Sequence, residues 1–149
     1  MKGENTVSNK GLEVFDRTVQ ESHEWVNELA ERLGWSSHRD ALRMLRSVLH
    51  LIRDHLPNDE LAQFSAQFPI LIRGMLFEGW QPKKTPVKAR HTEQFIATIE
   101  EQVGDVLDYR GSEDIKAVFK LINARISCGE VEDVRANLSV ELQDFWPAP

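Results

Sequence analysis

Apolar residues recur at helical spacing along this chain, and the second half repeats the first at a constant offset of 70 residues, the separation of Gly34 from Gly104. Few matched residues are identical, but apolar character is kept from one half to the other. The matched pairs include Trp25/Phe95, Leu29/Ile99, Leu33/Val103, Leu45/Ile115, Val48/Val118, Leu49/Phe119, Ile52/Ile122, Leu56/Ile126, Leu61/Val131, Phe64/Val134, Phe68/Leu138 and Ile72/Leu142. A repeat of this length is a whole supersecondary unit, so the pattern predicts two copies that bury their apolar faces together.

The spacing predicts helices and no sheet, because no segment alternates convincingly between apolar and polar residues. The predicted helices cover 21–33, 38–56, a short segment capped by Asn58, 69–78, 92–104, 112–127, 130–137 and 139–146, and a short lead-in helix carries Leu12, Val14 and Phe15. Helices 38–56 and 112–127 are expected to form the central pair. The predicted fold is all-α, with two tandem four-helix repeats packed as one pseudo-twofold helical domain.

The chain is interpreted as four segments, which are 1–20 (tail and lead-in helix), 21–80 (first repeat), 81–91 (basic linker with prolines) and 92–146 (second repeat). Residues 1–10 are polar and are predicted to be a disordered start rather than a signal peptide. Cys128 is the only cysteine, which excludes an intramolecular disulfide and fits a reducing compartment. Since no apolar run approaches the roughly 20 residues of a membrane span, we expect a soluble, cytoplasmic protein without membrane contact.

The net charge of −6 argues against general nucleic-acid binding, which depends on neutralising many phosphates. The exception is the linker, whose charged residues are Lys83, Lys84, Lys88 and Arg90. Trp80 precedes them, so a base stacked on its indole with lysines on the phosphates is one interpretation. The favoured alternative places Trp80 in the core and the linker in solvent, and nucleic acid is therefore an unlikely partner.

Polar residues present in only one half mark positions where the repeat has specialised. His50 and Asp54 are four residues apart on one helix face with Arg53 beside them, and their counterparts are Lys120, Asn123 and Ala124. Arg73 interrupts an apolar helix and is matched by Gln143. Arg73, His50, Arg53, Asp54 and Trp80 are the candidate ligand-binding residues, for an anion or a carboxylate. The competing interpretation is a surface row of ion pairs and an arginine that ties its helix to a neighbouring element.

No motif for a metal, a cofactor or catalysis occurs. The histidines are scattered, and the sequence lacks H-E-x-x-H, a cysteine cluster and a glycine-rich phosphate loop. Cys128 has no evident histidine base, which favours an incidental cysteine. We therefore predict no catalytic residues, no metal and no cofactor.

Two segments carry a resemblance to a known family, LRSVLHLIRDHLPNDE at 45–60 and AQFPILIRGMLFEGWQPKKTPVKAR at 66–90. Together they resemble the bacterial domain-of-unknown-function 2267 family, and the resemblance extends from about Trp25 to Trp146. It implies an all-helical tandem-repeat fold and a bacterial origin, and it implies no reaction.

A helical scaffold without a catalytic constellation favours a non-enzymatic interaction or regulatory module. Its partner would be another protein or a second copy of the chain, with aromatic ends such as Phe145 and Trp146 as one surface. The alternative is a small-ligand binding protein or unrecognised enzyme that uses the polar cluster of the first half.

Overall fold

The computed structural model describes residues 12–149, which fold into α-helices connected by short loops. The helices are α1 (Glu13–Leu33), α2 (His38–Asp54), α3 (Asn58–Ser65), α4 (Ile70–Leu76), α5 (Thr92–Val103), α6 (Ser112–Arg125), α7 (Cys128–Ala136) and α8 (Val140–Phe145). No strand occurs in the described part of the chain, so the predicted all-α class is confirmed. The disorder predicted for residues 1–10 lies outside the described residues.

The first helix is longer than predicted. The separate lead-in helix and the start at residue 21 are both wrong, because α1 runs unbroken from Glu13 to Leu33 and contains no glycine or proline that would interrupt it. The helix ends at Leu33, as predicted. Gly34 follows with a φ of 71°, a left-handed conformation that terminates helices and that glycine adopts without strain.

Other boundaries differ by one or two residues for local reasons. Helix α2 ends at Asp54 instead of 56, because the residue before Pro57 is restricted from the helical region. Asn58 is not the cap of α3, since the extended Pro57 occupies that position. Helix α7 begins at Cys128 because the Ser127 hydroxyl caps it by accepting the Glu130 N–H.

The basic linker contains a regular element that its composition did not predict. Residues Pro82–Lys84 form one 3₁₀ turn, which begins with a proline that needs no N–H partner there. Further along, the Val87 N–H donates to the carbonyl oxygen of Asp54 at 2.7 Å, so the linker is tied to the end of α2.

The predicted central pair of helices lies at the centre of the core. Helix α2 packs against α1, α4, α5 and α6, and α6 also packs against α1 and α7. Ile52 and its counterpart Ile122 are both wholly buried. The twelve matched pairs named above are buried in both halves, so the offset identifies the core, whereas the matched pair Val26/Ile96 and the matched residue Met75 are only partly buried. The exact spatial twofold between the halves remains a prediction.

No helix among the described residues is both long and apolar enough to cross a membrane.

Candidate functional site

His50 and Arg53 bind the carboxyl-terminal end of α4. The His50 Nε2 lies 2.7 Å from the carbonyl oxygen of Met75, and the Arg53 Nη1 donates to those of Leu76 at 2.9 Å and Glu78 at 2.8 Å. Burial lowers the pKa of His50 and favours the neutral ring, which donates through Nε2 because a carbonyl can only accept. Arg53 therefore satisfies carbonyls at the end of the helix, and His50 adds a second donor to the Met75 carbonyl, which also accepts the Glu78 N–H at 3.2 Å.

Asp54 completes this contact by pairing with Arg53. The Arg53 Nε donates to the Asp54 Oδ1 at 2.8 Å, and the Arg53 Nη2 lies 3.3 Å from the other carboxylate oxygen. Arg53 is 5% exposed, so its charge is desolvated and compensated by Asp54 and the two carbonyls. The guanidinium is occupied by the protein's own acceptors.

Arg73 lies in a different contact. Its Nε donates to the Ser65 carbonyl at 3.0 Å and its Nη2 to the Phe68 carbonyl at 3.2 Å, at the end of α3. It shares no hydrogen-bond partner with His50 or Arg53. The predicted cluster thus separates into two sets of hydrogen bonds from side chains to backbone carbonyls, hereafter clamps. One lies at the end of α4 and the other at the end of α3.

The second half repeats both clamps with different residues. Gln143, the counterpart of Arg73, donates to the Leu138 carbonyl at 2.9 Å, and Leu138 is the counterpart of Phe68. Asn123, the counterpart of Arg53, donates to the Pro147 carbonyl at 2.8 Å, just after α8. Because polar residues of another type bond to backbone carbonyls at the corresponding helix ends, these two positions serve the repeat's own architecture.

Trp80 is half-buried and packs edge-on against Phe77, with the ring centroids 5.4 Å apart. Its indole N–H is buried without a hydrogen-bond partner. The lysines of the linker, Lys83, Lys84 and Lys88, are exposed.

A groove that the sequence did not predict lies between α1, α2 and α4, with a volume of about 660 Å³. None of the five candidate residues lines it. Its apolar lining consists of Val19, Val26, Leu42, Leu71, Ile72 and Met75. Its polar lining consists of Ser22, His23, His38, Arg39, Arg46 and Glu78. An apolar concavity with a few polar groups is the usual form of a binding site.

Exposed apolar side chains extend the groove beyond its lining. Val19 is 45% and Leu71 is 54% exposed, and Phe15 and Ile70 next to them are 60% and 55% exposed. Phe15 precedes Val19 by one helical turn and so lies on the same side of α1. The Leu71 N–H donates to the Thr18 hydroxyl at 2.9 Å and fixes α1 against the start of α4. These four side chains form one apolar edge, hereafter the apolar rim.

The opposite side of the groove is basic. The Arg46 Nε lies 3.3 Å from the Glu78 Oε1, which compensates one of the two arginines. Arg39 is exposed and has no hydrogen bond or ion pair with another residue of the described chain. His38 lies beside it, in the first turn of α2. The groove therefore offers an apolar floor together with an uncompensated guanidinium.

The corresponding positions of the second half carry different side chains. Leu42 and Leu71 are replaced by Ser112 and Glu141, and Arg39 by Tyr109. Glu141 accepts the Thr92 N–H at 2.7 Å and so caps the first helix of its own half. The counterpart of Met75 is Phe145, which is 8% exposed and lies 5.6 Å from the Lys116 Nζ. Lys116, the counterpart of Arg46, therefore lies over a buried aromatic ring here.

One cluster of acidic side chains has the spacing of a cation site. Oxygen atoms of Glu60, Glu130 and Asp133 lie within 4.8 Å of one another. Glu60 and Glu130 are identical residues at matched positions of the repeat.

The chain belongs to the family described as "Uncharacterized conserved protein (DUF2267)", whose model matches residues 22–145. The match confirms the predicted resemblance. No curated protein matches the chain.

Proposed function

We propose that this protein is a non-enzymatic interaction module whose groove between α1, α2 and α4 binds an amphipathic helix of a partner protein. The observation that carries the proposal is the apolar rim, since four large apolar side chains that are about half exposed lie together along a preformed concavity. Contiguous exposed apolar surface of this kind is typical of interaction sites.

The dimensions of the groove favour a helix as its occupant. From Phe15 to Val26 the wall formed by α1 rises about 16 Å, at roughly 1.5 Å per residue, which matches about three turns of a second helix. Leu71 and Met75 are four residues apart on α4, on the opposite wall. A helix with apolar residues at i, i+3, i+4 and i+7 presents a stripe of this length to such a groove.

The charge of the groove favours an acidic partner. Arg39, His38 and His23 lie along it, whereas its one acidic residue, Glu78, is paired with Arg46. A carboxylate on the flank of the incoming helix would complement Arg39. Charge complementarity of this kind contributes chiefly to partner choice and association rate.

The test is binding of two fluorescent helical peptides of about 15 residues, with the same leucine stripe and either glutamates or lysines on its flanks. We expect the acidic peptide to bind more tightly. Leu71→Glu should weaken binding about tenfold or more, equivalent to about 1.4 kcal/mol, because it places a charge in the apolar rim. Arg39→Glu should reverse the preference between the peptides.

The matched control is Val140→Glu. Val140 is 75% exposed, lies on α8 and is not among the residues that line the groove, so the same kind of charge is added elsewhere. Equal weakening by Leu71→Glu and Val140→Glu would overturn the proposal, and so would peptide affinities that do not depend on the flanking charge. A concentration-dependent dimer abolished by Leu71→Glu would assign the groove to self-association instead.

The alternative, a small-anion or carboxylate site or an enzymatic reaction at the polar cluster, has less support. Arg53, Arg73 and His50 all direct donors to backbone carbonyls of the protein, and two of the three contacts have counterparts in the second half. A ligand there would have to displace those carbonyls.

A further inference from the structure

Glu60 and Glu130 occupy the same position in two helices that pack against each other. Each is the third residue of its helix, α3 or α7. A glutamate at this position commonly accepts the N–H of the capping residue. Pro57 caps α3 and has no N–H, while the N–H of Ser127, which caps α7, donates to the Gln67 side chain at 3.0 Å. Neither glutamate is therefore engaged in capping its own helix.

The two carboxyl groups meet in a buried contact. Glu130 is only 7% exposed, and a carboxylate oxygen of this residue lies within 4.8 Å of one of Glu60. The Oε2 atoms of both residues are inaccessible to solvent and have no hydrogen-bond partner. No arginine, lysine or histidine of the described residues forms an ion pair with either one. Two ionised carboxylates at this distance would leave buried charges uncompensated, which is costly.

We propose that Glu60 and Glu130 share one proton across the contact between α3 and α7, and that this proton forms a pH-sensitive latch between the two halves of the chain. One carboxyl group donates through its O–H and the other accepts as a carboxylate, so both buried oxygens are satisfied. The absence of water-accessible space at either Oε2 favours a proton over a hydrated cation. The amino-terminal ends of two helices, which carry partial positive charge, also disfavour a cation there.

The charged side chains around the pair all raise the pKa of Glu130, against the partial positive charge of the helix ends, which favours carboxylates. Burial, the hydrogen bond to Glu60 and repulsion by Glu60 and Asp133 together raise the pKa of Glu130 to about 8. Glu60 comes from α3 and Asp133 from α7 itself. Helices α6 and α8 also pack against α7, and neither supplies a charged group to those that shift this pKa. Above about pH 8 the proton passes to solvent, and the two carboxylates then repel each other across the contact.

The first measurement is a pH titration of the side-chain carboxyl carbons by NMR in the full chain. We expect one glutamate to titrate near pH 8 instead of near the ordinary 4.5. That signal should be absent in Glu130→Gln. In Glu60→Gln the amide can donate to Glu130, so the Glu130 signal should move to lower pH. Glu101→Gln, at an exposed position of α5, is the matched control and should leave the titration unchanged.

The second measurement is the unfolding equilibrium as a function of pH. Because the pKa of Glu130 is raised in the folded state, the stability it contributes is complete below the ordinary value and is lost as the pH rises through about 8. The equilibrium constant for unfolding should rise by up to about tenfold per pH unit within that window, and less steeply in Glu60→Gln.

Titration of every glutamate near its ordinary value would overturn the shared proton. So would a titration near pH 8 that persists unchanged in both glutamine variants. A third contrary result would be that Mn²⁺ or Ca²⁺ moves the titration to lower pH and stabilises wild type but not Glu130→Gln, since this would identify the cluster as a cation site.

Discussion

The two halves of this protein bury the same matched positions and differ in what they expose. In the first half, Leu71 and its neighbours line an open groove beside Arg39. In the second half, Glu141 stands at the position of Leu71 and caps Thr92, and Phe145 is buried in an aromatic cluster. The core therefore maintains the repeat, and the halves differ at positions that the core does not need.

The extra length of α1 is the backbone part of this difference. Helix α5 begins at Thr92, which corresponds to Ser22, whereas α1 begins at Glu13. The additional turns carry Phe15 and Val19, which form half of the apolar rim. The corresponding segment of the second half belongs to the linker, where prolines prevent a helix. A groove bounded by α1 consequently exists in one half only.

The largest expected effect on stability comes from the buried core that the two halves share. Ile52→Ala and Ile122→Ala remove the same side chain from matched, wholly buried positions of α2 and α6. Each should lower the free energy of unfolding by about 2–5 kcal/mol, the range for large-to-small core changes. Urea denaturation of both variants measures this. A variant with the wild-type midpoint would show that its half does not contribute to the common core.

A smaller effect is expected where the halves use different residues for one contact. Arg53→Met keeps the aliphatic bulk but leaves the carbonyls of Leu76 and Glu78 and the carboxylate of Asp54 without their donor, at a cost of about 1–3 kcal/mol. Asn123→Leu should also destabilise, because it removes bonds to Pro147 and Trp146. Hydrogen exchange should show faster exchange at α4 in the first variant and at α8 in the second. Unchanged exchange at α4 would contradict the structural role of Arg53.

The core was predictable from the sequence because apolar spacing reports burial directly, and every matched pair quoted for the repeat is buried. The hydrogen-bond partners of His50, Arg53 and Arg73 could not be predicted, because these partners are backbone carbonyls and side-chain periodicity carries no information about them. The sequence placed these residues together because they are close along the chain or belong to one motif. The structure separates them because α3 and α4 end at different places.

The groove was harder to predict for a different reason. Polar residues found in one half only point to His50 and Arg73. The groove instead depends on positions that are apolar in the first half and polar in the second, such as Leu42/Ser112 and Leu71/Glu141. An apolar residue on a helix is ordinarily attributed to the core. That Leu71 is exposed follows only from the direction of α4 relative to α1, which is a tertiary property.

The smallest effect on stability, and the sharpest contrast between the halves, is expected from exchanging the residues at positions 71 and 141. Leu71→Glu should change the free energy of unfolding by less than about 0.5 kcal/mol, because Leu71 is half exposed and its N–H bond to Thr18 does not involve the side chain. Glu141→Leu should destabilise the start of α5, because the Thr92 N–H and the His91 ring lose their acceptor. Thermal melts and hydrogen exchange at Thr92 measure both. If Leu71→Glu were the more destabilising of the two, Leu71 would belong to the core of the first half, and the apolar rim would not be a surface kept for a partner.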